Sequence, residues 1–198
     1  SGDNEWLADI RRQTQRLTEL TSELIMLAKT EEGGRKSMVA VEFPVSDVIA
    51  ETAESYKAPA QLQNKKFNCD IEQGLAMTGD PKMIGQLVGI FLDNAVKYTP
   101  PGTVIVLRGG RTHDGGVWLE VVDAGPGLTE AELARVFEPH VRGAAAGRHT
   151  GHGLGLPLAR RMIESQGGTL SAASPPGQGC RFRIELPGAD AVDPDGEG

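Results

Sequence analysis

Apolar residues recur at two different periods along the chain, and the change of period marks its first boundary. Residues 4–32 contain neither Gly nor Pro. Trp6, Ile10, Leu17, Leu20, Leu24 and Leu27 repeat there at alternating spacings of four and three, with Gln13 in the one polar slot. That seam predicts one helix of about eight turns. Its flanking Arg11, Arg12, Arg16, Glu19 and Glu23 suit a helical bundle better than a surface helix packed on its own domain. The pattern stops at Gly33-Gly34, and after a linker ending near Ser37 short strand and helix signals take over. They predict a strand over 39–43, a helix from 46 to about 57, and strands over 66–71 and 75–78. In the segment 80–98, Asp80 is placed to cap a helix and Pro81 to open it, while Met83, Ile84, Leu87, Val88, Phe91, Leu92 and Ala95 trace one buried face. The helix must end before Pro100-Pro101-Gly102. Strand-like runs over 104–108 and 117–122 flank a turn containing His113-Asp114-Gly115-Gly116, and an amphipathic helix is expected over 156–166. The order never settles into βαβα. The economical architecture is α+β: a two-layer sandwich in which a mixed, largely antiparallel sheet carries helices on one face, preceded by the long helix. The domains expected are 1–34, 35–188 and a flexible acidic tail, 189–198.

Composition narrows the possibilities. With 198 residues, 39% apolar and 24% charged, the chain has room for one globular core and an appended element. No apolar run reaches the roughly 20 residues that span a bilayer. Ser1-Gly2 resembles a cloning remnant, so the true start is expected to be an internal cut. The net charge of −7 owes four acids to the tail, Asp190, Asp193, Asp195 and Glu197, and gives no basic face for nucleic acid. Cys69 and Cys180 lie far apart without CxxC or His-rich company. Both are expected as core residues in a reducing compartment.

Three clusters place costly residue types where packing would not choose them. Asp93-Asn94-Ala95-Val96-Lys97-Tyr98-Thr99 ends the 80–98 helix. Asn94 and Lys97 share a face, where an amide oxygen could hold hydrated Mg²⁺ and an ammonium could meet phosphate, although alone such a pair reads as a solvated surface. Val121-Val122-Asp123-Ala124-Gly125-Pro126-Gly127-Leu128 runs a strand into a carboxylate and two glycines. A plain turn explains Gly125 and Gly127 but leaves Asp123, which could accept an exocyclic amine proton. Thr150-Gly151-His152-Gly153-Leu154-Gly155-Leu156 opens a helix with glycine at alternate places, offering free N–H groups and a positive dipole end to phosphate. The spacing is neither GxGxxG nor a P-loop.

In this order the clusters resemble the N, G1 and G2 boxes of the sensor histidine kinase ATP-binding domain, shared in outline with the gyrase, heat-shock chaperone and mismatch-repair ATPases. Phe137-Glu138-Pro139-His140-Val141-Arg142 resembles the F box, and Gly167-Gly168-Thr169 with Gly177-Gln178-Gly179-Cys180-Arg181-Phe182 the closing strands. Residues 10–33 resemble the second helix of the dimerisation domain. The resemblance implies ATP and Mg²⁺ as cofactors, with Asn94, Lys97 and Arg142 as catalytic residues. Asn94 would ligate Mg²⁺, Lys97 and Arg142 would reach the phosphates, Tyr98 would lie against adenine and Asp123 would bond its amine. The implied nucleotide site is completed by Gly125, Gly127, Leu128, Gly151, His152, Gly153, Leu154, Gly155 and Cys180, with a mobile lid from about 143 to 152. The implied partners are a response-regulator receiver domain and a second copy of the chain, paired through the N-terminal helix. The parent is expected to be anchored in the bacterial membrane with this part in the cytoplasm.

Departures from the family pattern keep two rivals open. Ile90 stands four before Asn94, where many members carry a second polar residue, so no general base is assigned. His140 replaces an aromatic and Cys180 a common Thr. None of His113, His140, His149 and His152 has the His-Glu/Asp setting of a phosphoacceptor, so the acceptor is expected on a helix this sequence does not include. His149 and His152 read as exposed lid residues rather than metal ligands. One rival is a nucleotide-holding scaffold that has lost transfer. The other is an anti-sigma serine kinase, which would not need the helix at 4–32.

Overall fold

The computed structural model describes residues 41–139, 155–175 and 177–188. The expected helix at 4–32, the lid at 143–152 and the acidic tail lie outside the described residues. The elements run β1 (Val41–Pro44), α1 (Val45–Leu62), β2 (Lys66–Ile71), β3 (Ala76–Gly79), α2 (Pro81–Tyr98), β4 (Val104–Arg111), β5 (Val117–Asp123), α3 (Glu130–Arg135), α4 (Gly155–Ser165), β6 (Thr169–Ala173) and β7 (Cys180–Leu186).

Five strands form one sheet in the order β2-β4-β5-β7-β6, and β1 pairs with β3 in a second, antiparallel sheet. Only β2 and β4 pair in parallel in the larger sheet, so the mixed, largely antiparallel α+β expectation is met. Alternation along the strands sorts the two faces. Ile105, Leu107, Leu119, Val121, Phe182 and Ile184 are buried, and the Phe91 and Phe182 rings, 5.6 Å apart, join α2 to β7. The opposite face carries Arg108, Glu120 and Arg183 in direct cross-strand register.

Local chemistry explains the element ends. The Asp80 carboxylate accepts the Lys82 N–H at 2.8 Å and Pro81 opens α2, as the sequence predicts. Helix α1 runs beyond the expected stop at residue 57 and contains Pro59. The proline removes a hydrogen bond to the carbonyl of Ser55, which is exposed and open to water. Burial of Ala53 and Ala60 holds the helix on the domain past that point. Helix α3 was not anticipated, although Thr129 and Glu132 form a reciprocal capping box that the sequence displays. Among the described residues no helix is long and apolar enough to cross a membrane.

Candidate functional site

Strand β5 sends Val117, Leu119 and Val121 into the core, and Asp123 continues that inward series at the strand's end. A carboxylate thus occupies a position whose predecessors are aliphatic, and only 8% of it is exposed. One of its oxygens accepts the N–H of Gly125 at 2.8 Å and that of Cys180 at 3.4 Å. Burial pushes its pKa up, while those two N–H groups and the charge of Lys65 pull it down.

The glycines around Asp123 are there because side chains do not fit. A Cβ on Gly125 would lie 2.8 Å from the Asp123 carboxylate and 3.3 Å from the Tyr98 carbonyl. Gly179, at φ +78°, would place a Cβ 1.9 Å from the Asp123 carbonyl oxygen. Ser174 then clasps the loop after β5 to the turn before β7. Its hydroxyl accepts the Leu128 N–H at 2.7 Å and donates to the Gly179 carbonyl at 2.8 Å, and the Cys180 thiol donates to it at 3.7 Å. All three hydrogen-bonding positions of a hydroxyl are in use.

The last turns of α2 form the neighbouring wall. Val96 and Ala95 face the core while Asn94, Lys97 and Tyr98 stand at its margin. Thr99 is buried and donates its hydroxyl to the Ala95 carbonyl at 2.6 Å. The side-chain nitrogen of Asn94 is buried and has no hydrogen-bond partner among the described residues. A buried amide without a partner is costly, and its persistence at a helix end points to a ligand that supplies one. One turn earlier on the same face, Ile90 approaches Gly155, the first residue of α4: a Cβ there would sit 3.3 Å from Ile90 Cγ2. The N-terminus of α4 is thereby set beside the helix face that carries Asn94.

The structure brings Asn94, Lys97, Tyr98, Asp123, Gly125, Gly127, Leu128, Gly155 and Cys180 into one region. Arg142, Gly151, His152, Gly153 and Leu154 lie outside the described residues, as do His140 and His149. Cys69 departs from the core expectation: it is exposed, because β2 is the edge strand. Sequence reading overlooked Ser174 and Lys65. The first precedes Pro175-Pro176 and reads as turn polarity, and the second sits in Asn64-Lys65-Lys66 and reads as a solvated charge, yet Lys65 is 7% exposed.

Residues 79–190 match the model of the family described as histidine kinase-, DNA gyrase B-, and HSP90-like ATPase. The chain belongs to that family. Among its members, the chain is similar to the sensor protein TorS of Escherichia coli, at 43% identity over 57% of this chain and 12% of TorS. It is likewise similar to the adaptive-response sensory kinase SasA of Synechocystis, at 34% over 72% of this chain and 38% of SasA. The histidine-protein kinase/phosphatase MprB of Mycobacterium sp. is 31% identical over 91% of this chain and 35% of MprB. The chain therefore spans well under half the length of these curated relatives. A solved mycobacterial sensor histidine kinase MprB superposes with a TM-score of 0.68 at 28% identity, over 75% of this chain and 98% of that one. Full-length ShkA in complex with AMPPNP shares the fold, with a TM-score of 0.80 at 24% identity over 98% of this chain and 40% of ShkA. The described domain is a sensor histidine kinase catalytic domain of this ATPase family.

Proposed function

We propose that this domain binds Mg·ATP and that the protein it belongs to transfers the γ-phosphoryl group to a histidine, from which it passes to a response-regulator receiver domain. The reading is carried by two buried polar atoms that packing alone does not explain: the Asp123 carboxylate at the end of β5 and the unpartnered side-chain nitrogen of Asn94 on α2. Asp123 accepts the adenine amine, and Gly125, Gly127, Leu128 and Cys180 shape the base site with Tyr98 against the ring. Lys97 and Arg142 meet the phosphates, as do the N–H groups of Gly151, His152, Gly153, Leu154 and Gly155, the glycine-rich stretch that precedes and opens α4. The orphaned N–H of Asn94 calls for an acceptor, which a phosphate oxygen would supply, and the oxygen of the same amide fits a Mg²⁺ site, because this ion takes one or two protein oxygens and completes its shell with phosphate and water. Bound there, Mg²⁺ would neutralise charge on the transferring phosphates. Ile90 is aliphatic and supplies no base; an imidazole acceptor is itself nucleophilic, so positioning and charge neutralisation carry the step. The homodimer forms through the segment 4–32, and the parent is held at the bacterial membrane with this domain in the cytoplasm.

The test adds this chain and γ-³²P-ATP to a separately made dimer of phosphoacceptor helices. Acid-labile, base-stable label on the acceptor is expected. ATP binding without transfer would favour the scaffold rival, and label on His113, His140, His149 or His152 would show that the acceptor lies in this chain.

A further inference from the structure

Helix α2 ends in Val96-Lys97-Tyr98-Thr99-Pro100-Pro101. In a continuing helix the Val96 carbonyl would accept the N–H of residue 100, and a proline has none. The carbonyl lies in the buried last turn of the helix, so it needs another donor. Lys65 provides it: its ammonium donates to the Val96 carbonyl and, at 2.8 Å, to Gln63 Oε1.

The backbone delivers Lys65 to this place by a fixed route. Helix α1 closes with N–H groups of Gln63 and Lys65 on the Ala60 carbonyl, and the chain reverses through Asn64 at φ +54°, a left-handed conformation that asparagine tolerates. The Asn64 carbonyl then accepts the Gly102 N–H at 2.6 Å, and the Lys66 N–H donates to the Thr103 carbonyl at 2.9 Å. The turn after α1 and the loop after α2 are thus laced together around the lysine. Burying an ammonium is expensive, and a capping bond alone could be made by a neutral side chain. The charge has a second use: it favours the ionised form of the buried Asp123 carboxylate, which in turn favours the charged ammonium.

We propose that Lys65 is a positioning residue for the nucleotide site: its ammonium replaces the donor that Pro100 lacks, holding the turn that carries Lys97 and Tyr98, and compensates the charge of the Asp123 carboxylate. The proposal rests on the nucleotide-binding reading above. Among the described residues, the side-chain ionisable groups bearing on Asp123 are the Lys65 ammonium and the Cys180 thiol, whose own ionisation is suppressed by burial and by Asp123. Without the ammonium, burial acts on Asp123 opposed only by two N–H groups. It would take up a proton at higher pH, and the acceptor for an adenine amine would be blunted.

The experiment is calorimetric titration with ADP and Mg²⁺ from about pH 6 to about pH 8.5, using the unaltered chain, Lys65→Met and Lys65→Gln, with a thermal melt of each at every pH. Lys65→Gln keeps a donor for Val96 without the charge and serves if Lys65→Met does not fold. Ionisation of ADP itself cancels in the ratio of affinities. The loss relative to the unaltered chain is expected to grow as the pH falls, by about threefold or more between the alkaline and the acid end of the range. In an Asp123→Asn background the pH dependence of that loss should vanish. A loss that is flat with pH and unchanged by Asp123→Asn would reduce Lys65 to a structural cap and overturn the proposal. Failure of the unaltered chain to bind ADP would instead overturn the nucleotide site itself.

Discussion

Strand β5 carries two buried carboxylates three residues apart, and they face opposite sides of the sheet. Glu120 lies on the side away from the main core, opposite Arg108 on β4 and Arg183 on β7, with Arg181 Nε 3.6 Å from its carboxylate. Asp123 lies on the core side, between Ile105 and Cys180, and among the described residues its carboxylate accepts from the backbone N–H groups of Gly125 and Cys180. Glu120 is answered by flexible cations at the surface, an arrangement that any charged sheet face can assemble. Asp123 is answered by rigid backbone, two tightly packed glycines and one lysine brought from another element. The difference separates a carboxylate that belongs to the surface from one that the fold has been shaped around.

Replacing Asp123 with Asn should open the widest gap between the two. ATP affinity is expected to fall by about 1–3 kcal/mol, the usual consequence of leaving a buried partner unsatisfied, and calorimetry reads it directly. Stability should move the other way or not at all. Because the folded-state pKa of Asp123 is raised, its contribution to stability is fully present below the unfolded carboxylate value and is lost as pH rises through the folded one. A neutral Asn removes that loss, so the melting temperature at neutral pH should hold or increase. A mutant that binds ATP normally would remove Asp123 from the adenine site.

Asn94→Ala tests the companion orphan. Mg²⁺-dependent nucleotide binding or phosphoryl transfer is expected to disappear, while the melting temperature stays within a few degrees, since the removed amide nitrogen makes no bond among the described residues. Normal transfer by this variant would dissociate Asn94 from the metal. Ser174→Ala should have a smaller, mixed effect. Loss of the hydroxyl strands the Leu128 N–H and the Gly179 carbonyl, for an expected cost of about 1–2 kcal/mol in chemical denaturation and a weaker ATP affinity. An unchanged denaturation midpoint would mean that water replaces the clasp.

The sequence made one of the two carboxylates stand out for a physical reason. Asp123 breaks an apolar alternation and is followed at once by Gly125 and Gly127, so its cost is visible in one window. Helix α2 was legible for the same reason: cap, proline, apolar face and stop signal are all local. Lys65 and Ser174 were not, because each is defined by partners far along the chain, Val96 for the first and Leu128 for the second. The missing donor at Pro100 could have signalled that something must reach Val96, but not which residue would. The continuation of α1 through Pro59 escaped prediction likewise, since burial of Ala60 is a tertiary fact.

The smallest effect is expected at Glu120, and it is the control on which the comparison rests. Glu120→Gln keeps an oxygen acceptor beside Arg181 and removes a charge whose 3.6 Å partner, 58% exposed, is free to turn to solvent. The stability change should be about 0–1 kcal/mol, and it should shrink further in about 1 M salt, where the screening length falls to about 3 Å. Nucleotide affinity should not change, because Glu120 faces away from Asp123 across the sheet. Denaturation at low and high salt with calorimetry on the same samples reads all three quantities. If Glu120→Gln weakened ATP binding as Asp123→Asn does, the two faces of β5 would be coupled, and burial on the core side could no longer be taken as the mark of the functional carboxylate.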